Sequence, residues 1–395
     1  MMRRHWLLYA TIVLVCLPGI AKAETGVTDG AIKIGSLYAV TGANAQYGLA
    51  RTSTKMAFDE INRKGGINGR KIELVIEDGA CDRAKSVAAV KKLLHSDQVF
   101  ALFGGVCSTA VKAATQSTIE AKVPWFVLSP AAQNIMDPFT PYVFGARPSS
   151  FDQTDVLVRA SKQSNYKRIA LMSSSDDYGV QARKGVEKAA PRLGLQLVAA
   201  EVHNFGDTDF TPQLLKIQAA NPDAILITSY LKEIAIILRQ SYELGLKAPR
   251  LATASVTTTI EKIVPKEALD NLIAVTPLKD VEDGPTFASF RQALKDAAPD
   301  LAAQPGMPDY LVIMGYYNVS IFAEGLKRAG RDLTREKFIT ALESINNFDT
   351  GALGGKVSFS KTDHDGLRSL GYYRYTLDKA SGTLGRKFIG TIDLR

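Results

Sequence analysis

The chain is poor in histidine, tryptophan and cysteine, with four, two and three in 395 residues. His5, His95, His203 and His364 show no zinc-like spacing, so metal-assisted hydrolysis has no support and no metal is expected. No G-x-S-x-G elbow and no G-x-x-x-x-G-K-[ST] loop occurs, which removes the hydrolase nucleophile and nucleotide hydrolysis. No cofactor motif stands out, and no cofactor is expected. There is no Lys/Arg block and no interleaving of basic and aromatic residues, so nucleic acid is not the partner. After Trp6–Ile20 no apolar run approaches the roughly 18–20 residues of a spanning helix, which excludes a multi-pass membrane protein. Short-period repeats and low-complexity tracts are absent as well.

What remains is a globular composition, 46% hydrophobic and 22% charged, in a chain long enough for two or three domains. The N-terminus has the plan of a secretory signal. Arg3 and Arg4 supply the positive start, Leu7–Leu17 the apolar stretch, and Ala21-Lys22-Ala23 the small-x-small cut site. Cleavage removes residues 1–23 and leaves a mature chain from Glu24; an uncleaved anchor is the alternative. Cys16 follows Val15 where a lipoprotein signal needs a small residue, so lipidation is not expected. Loss of Arg3, Arg4 and Lys22 lowers the net charge of +8 by three, a mild excess on a large surface. Cys81 and Cys107 remain. In an oxidising compartment they form one disulfide or stay as two free buried thiols; as a nucleophile, Cys107 would need a nearby histidine and an electropositive pocket.

Strand and helix signals alternate along the mature chain. Ile32–Tyr38, Ile72–Glu77, Val99–Phe103 and Val123–Leu128 read as strands. Tyr47–Arg63, Arg83–His95 and Thr109–Ala121 read as the helices between them. After Pro148 the pattern resumes with helices at Ser150–Gln163, Tyr178–Leu193, Phe210–Ala220 and Leu231–Leu244, and strands at Arg168–Ser173, Gln196–Glu201 and Ala224–Ser229. Such alternation predicts two similar α/β lobes whose parallel sheets are covered by helices. Beyond about residue 275, Pro285–Ala298, Tyr310–Ala329 and Arg335–Ile345 are helical. The tail reads as strand and turn at Lys356–Phe359, Asp363–Gly366 and Gly371–Leu377.

Open α/β sheets bind ligands at the carboxyl ends of their strands. Gly104-Gly105-Val106-Cys107-Ser108-Thr109-Ala110 follows a buried strand and opens a helix, whose N-terminus suits a carboxylate. Ser108 and Thr109 add hydroxyls, and plain N-capping by Ser108 explains the same residues. Ser129-Pro130-Ala131-Ala132-Gln133-Asn134 is a second polar loop at such an end. Tyr178 and Tyr230, at strand ends of the second half, would serve as lids of a cleft or as interlobe packing. His364, between Asp363 and Asp365, reads as part of a solvated turn.

These residues, in this order, resemble the periplasmic leucine/isoleucine/valine-binding proteins that serve ABC importers. The markers are Ile32-Lys33-Ile34-Gly35, Asn44-Ala45-Gln46-Tyr47-Gly48, Asp59-Glu60-Ile61-Asn62 with Gly65-Gly66-Ile67-Asn68-Gly69-Arg70, Val106-Cys107-Ser108, Ser129-Pro130-Ala131-Ala132, Asp177-Tyr178-Gly179 and Gly206-Asp207-Thr208-Asp209-Phe210. Each is weak alone, and together they span almost the whole mature chain. The resemblance implies an α/β fold of two doubly wound parallel-sheet lobes joined by a three-crossing hinge, the type I periplasmic binding protein. Lobe 1 would comprise 24–147 plus 277–351, and lobe 2 148–276 plus 352–395. It also implies a Cys81–Cys107 disulfide, a monomer in the periplasm, a small-molecule ligand, an inner-membrane ABC permease as partner, and no enzymatic activity.

Carried over by position, Ser108, Thr109, Ala131, Ala132 and Gln133 would surround a ligand carboxylate. Tyr47 would line the side-chain end, and Tyr178 and Tyr230 would close from lobe 2. Two positions depart from the family pattern. Gln133 stands where the amino-acid binders have threonine, and Ala254 where they have the glutamate that pairs with the ligand's ammonium. A buried ammonium without a counter-charge costs several kcal/mol. The departure therefore points to an organic acid lacking an amine, with Tyr47, Phe151, Tyr178 and Tyr230 as stacking partners. An amino acid or amide whose charge is met by Asp152, Asp177 or Glu233, and a sensor feeding a signalling partner, are the alternatives.

Overall fold

The computed structural model describes residues 24–42, 44–129 and 132–394. The expected signal, residues 1–23, and Ala131 lie outside the described residues. Strands β1 (Ala31–Tyr38), β2 (Lys71–Asp78), β3 (Ala101–Gly104), β4 (Trp125–Val127) and β5 (Val143–Gly145) form the first sheet in the order β2-β1-β3-β4-β5. Every neighbouring pair in it is parallel. Helices α1 (Ala50–Arg63), α2 (Arg83–His95) and α3 (Ser108–Ala121) make the crossovers. Strand β3 is buried at all four positions, the signature of a parallel strand covered on both faces. On one face Phe58, Phe103, Phe126 and Phe338 surround Phe322 of the long helix Tyr310–Ala329, mostly edge to face. On the other, Leu93, Leu102, Val111 and Trp125 form a separate core.

The second sheet runs β12-β11-β10-β9-β8-β6-β7. Here β6 is Arg168–Ser174, β7 Gln196–His203, β8 Ala224–Thr228, β9 Arg250–Ala252 and β10 Ile273–Thr276, all parallel. Helices α4 (Ser150–Gln163), α5 (Asp177–Arg192), α6 (Thr211–Ala219) and α7 (Leu231–Glu243) cover it. Strands β11 (Ser369–Asp378) and β12 (Thr383–Asp393) add an antiparallel hairpin, so this sheet is mixed where the sequence predicted a parallel one. A hairpin turn cannot supply the crossover that parallel pairing needs. Strand β12 escapes sequence reading because its positions alternate between exposed and half-buried and include Gly385, Arg386, Lys387 and Gly390.

The chain passes between lobes after β5, after β10 and before β11. Leu353, Val357, Phe359 and Leu367 lie in the core of the first lobe, and Leu370 in that of the second. Residues 352–367, which sequence placed in lobe 2, thus contribute to the other core. Lys356–Phe359, expected as a strand, makes only isolated bridges from Val357 to Phe348 and Leu367.

Candidate functional site

Between the lobes the carboxyl ends of both sheets face each other. Strand β1 leads into a short 3-10 turn, Ala45–Leu49, that carries Tyr47. A Cβ on Gly48 would come within 1.9 Å of the Ala39 carbonyl oxygen, so only glycine lets this turn pack and set the tyrosine. Strand β3 ends at Gly104 and Gly105, whose φ of +99° and +93° lies in the left-handed region that favours glycine. They turn the chain into Cys107, which caps α3, and Ser108, its first residue. The Cys81–Cys107 disulfide forms as expected, with Cα atoms 5.5 Å apart, and ties the start of α3 to the loop after β2. Ser108 Oγ accepts the Ala132 amide at 3.1 Å, joining the two candidate loops.

In the second lobe, Asp176 caps α5 by accepting the Gly179 amide at 3.2 Å. Tyr178, the second residue of α5, donates its hydroxyl to Thr253 Oγ1 at 2.7 Å and lies 3.3 Å from Ser255 Oγ. Tyr230, which precedes α7, donates to the Asp176 carboxylate. The lobes touch here. Tyr47 Oη accepts the Leu231 amide at 3.3 Å, and the Tyr47 and Tyr230 rings are 6.2 Å apart, with Tyr178 5.5 Å from Tyr230.

Tyr47, Ser108, Tyr178 and Tyr230 therefore line one chamber, together with Arg147, Ser129, Ser255 and Tyr310. Among the described residues, no acidic side chain lines it. The chamber encloses about 20 Å³, room for one water, so a larger guest requires the lobes to part. Burial raises the phenol pKa of all four tyrosines, Tyr310 to about 12, and keeps each hydroxyl protonated as a donor. Arg147, 7% exposed, follows β5. Its Nη1 donates to the Ser129 carbonyl at 2.6 Å, and its guanidinium carbon lies 5.4 Å from the Tyr310 ring centre. It also borders a second cavity of about 350 Å³, shared with Ala132, Gln133, Ser149, Asp365 and Arg368.

Other predicted residues fall elsewhere. Thr109 turns to Asp177, with Oγ1 3.5 Å from its carboxylate. Ala132 and Gln133 face the second cavity. Ala254 is buried in the core of the second lobe, its amide donating 3.0 Å to Gln153 Oε1, and Ser255 is the residue of that segment that reaches the chamber. Phe151 lies under Lys188 Nζ on another surface. Asp152 accepts from Ser149 Oγ at 2.8 Å. Glu233 is buried without lining the chamber; Oε1 accepts the Gly206 amide at 3.0 Å and Oε2 has no partner among the described residues. His364 is not in a solvated turn: it is buried, stacked on Phe144 at 3.6 Å and bonded to Glu343 at 3.3 Å. The Phe144 ring offers apolar cover that the flanking aspartates concealed in the sequence. Arg147 and Tyr310 were missed. Arg147 lies two residues beyond a three-residue strand too short to recognise, at the carboxyl end where ligands bind.

The sequence profile of the family described as Periplasmic binding protein matches residues 31–381. The leucine-, isoleucine-, valine-, threonine-, and alanine-binding protein of Pseudomonas aeruginosa is 29% identical over 329 residues, covering 82% of this chain and 85% of that protein. Leu/Ile/Val-binding protein homolog 7 of Brucella suis is 27% identical over 386 residues, 94% and 90%. Among solved structures, a branched-chain amino acid transporter substrate-binding protein of Streptococcus pneumoniae, in complex with isoleucine, superposes with a TM-score of 0.77 at 23% identity, covering 91% of this chain and 99% of that one. A solute-binding protein of R. palustris in complex with 4-hydroxybenzoate gives 0.79 at 22% identity, covering 92% and 98%.

Proposed function

Because this chain belongs to the periplasmic binding protein family, as a substrate-binding protein of the branched-chain-amino-acid type of ABC transporter, we propose that it captures a small organic acid without an amine between its two lobes. The observation that carries the reading is the chamber itself. Two elements of the first lobe bring Tyr47 and Ser108 against Tyr178 and Tyr230 of the second, around a space that among the described residues is lined by one cation and no acid. An anion is favoured there, and an α-ammonium would have no counter-charge. The tyrosine faces suit an aromatic body, and the R. palustris solute-binding protein of the same fold is in complex with an aromatic acid, 4-hydroxybenzoate.

Capture proceeds by hinge motion. The open lobes admit the acid onto the first lobe, near the start of α3, and closure brings Tyr178 and Tyr230 over it. The closed form docks on an inner-membrane ABC permease, whose ATPase supplies the energy; the protein itself catalyses nothing. Residues 1–23 direct export to the periplasm and are removed, and the mature protein is a monomer. A second reading is favoured by Glu233, whose buried Oε2 lacks a partner among the described residues: an amino acid whose ammonium reaches that carboxylate.

A thermal-shift screen of residues 24–395 with the disulfide intact separates the two. One pool holds amino acids and the other carboxylic acids without an amine, aromatic ones included. A ligand at 100 times its dissociation constant stabilises by ~2.7 kcal/mol. Hits confined to the second pool support the proposal; hits confined to amino acids overturn the ligand class in favour of Glu233.

A further inference from the structure

We propose that Arg147 is the anchor for the ligand carboxylate and the residue that selects acids over neutral analogues. This rests on capture between the lobes but not on the absence of an amine.

Arg147 is 7% exposed, and only one of its three guanidinium nitrogens has a hydrogen-bond partner among the described residues, Nη1 on the Ser129 carbonyl at 2.6 Å. Nε and Nη2 have none, and no carboxylate lies within ion-pairing distance among the described residues. A buried guanidinium without a counter-charge costs several kcal/mol. The acids across the second cavity do not offset this. Asp363 and Asp365 pair with Arg368 at 2.6 and 3.0 Å, Asp365 keeping its buried Oδ1 without a partner among the described residues, and Asp137 accepts from Gln133 Nε2 at 3.3 Å.

The two unpartnered nitrogens lie on the same edge of the guanidinium plane. That edge is a fork of parallel N–H donors matched to the two oxygens of a carboxylate. The Tyr310 ring beneath and the Ser129 carbonyl beside it hold the plane in place. Among the described residues, no other charged side chain lines the tyrosine chamber. An incoming carboxylate would thus supply the missing counter-charge and satisfy both donors, whereas a carboxamide would supply neither the charge nor a second acceptor oxygen.

The test measures affinities by calorimetry for wild type, Arg147→Gln and Arg147→Lys. Two probe pairs are used: 4-hydroxybenzoate with 4-hydroxybenzamide, and leucine with leucinamide. Wild type is expected to favour the acid of the bound pair about 100-fold over its amide. Arg147→Gln should lower acid affinity about 100-fold and leave the amide within about 3-fold, so the preference collapses. Arg147→Lys keeps the charge and loses the fork, and should cost about 10-fold on the acid alone; it carries the test if the glutamine variant does not fold. Equal losses for acid and amide would show a purely structural role and overturn the assignment. If leucine binds and its preference over leucinamide collapses in Arg147→Gln, Arg147 stands while the amine-free reading falls. If wild type binds neither acid, the carboxylate reading and the role of Arg147 fail together.

Discussion

Replacing Asp177 by alanine removes a carboxylate on which three first-lobe side chains converge. Thr109 Oγ1 and Asn134 Nδ2 each lie 3.5 Å from its oxygens, and Arg83 Nη2 lies 3.6 Å away. The two hydrogen bonds sit at the long limit of the range and are worth about 0.5 kcal/mol each. The ion pair has a 68% exposed arginine, so screening leaves about 0.3 kcal/mol. Together they favour the closed arrangement by roughly 1.3 kcal/mol, close to tenfold in an equilibrium constant. Asp177 is also the first residue of α5, where a negative charge stabilises the helix, but alanine's helix propensity offsets part of that loss. Asp177→Ala should therefore weaken ligand binding by up to about tenfold while the melting temperature barely moves. Calorimetric titration gives the affinity, and a double-mutant cycle with Arg83→Ala isolates the ion pair. An unchanged or tighter affinity in a natively folded variant would refute the view that these contacts hold the lobes together.

Burial pushes the Asp365 carboxyl up to about 8, with Arg368 opposing the shift only in part. Its folded pKa thus exceeds the unfolded value of about 3.9, so this group's contribution to stability is full below about pH 4 and is lost as pH rises through 8. Melting curves of Asp365→Asn should accordingly fall less steeply than wild type between pH 4 and 8; parallel curves would contradict the shift. Reducing the Cys81–Cys107 disulfide, which closes a 26-residue separation, should cost about 3.5 kcal/mol in the chain-entropy model, read from urea unfolding with and without reductant. Gly48→Ala drives a methyl into the Ala39 carbonyl and should destabilise by about 1–3 kcal/mol while weakening binding through displaced Tyr47; native stability and affinity would disprove the close approach.

Much of the architecture is legible in the sequence because local patterns report it. Buried parallel strands such as Ala101–Gly104 are continuous apolar runs, and their helices carry apolar faces with clear stops, so β-α alternation follows from composition and period. The disulfide is expected from two cysteines in an oxidising compartment and from the family resemblance; Ser108, Tyr178 and Tyr230 are legible as residues at strand ends, and Tyr47 and their meeting only through that resemblance. Strand β12 and the partition of residues 352–367 are not local. The first depends on pairing with β11, and the second on which core covers Val357 and Phe359.

Side-chain direction was decided by the tertiary structure alone. Ala254 and Ser255 are adjacent in sequence, yet one faces the core and the other the chamber, because they are the central residues of a turn after β9, closed by the Val256 amide on the Thr253 carbonyl at 3.3 Å. His364 is buried because Phe144, more than two hundred residues earlier, lies against it. Sequence gives Arg147 a charge and a place near the hinge; only packing removes its solvent, takes one nitrogen for Ser129 and leaves two without partners among the described residues. Charge type is a property of the residue, whereas desolvation and unmet hydrogen-bonding capacity belong to the folded surroundings, and in this protein those surroundings come from segments far apart in the chain.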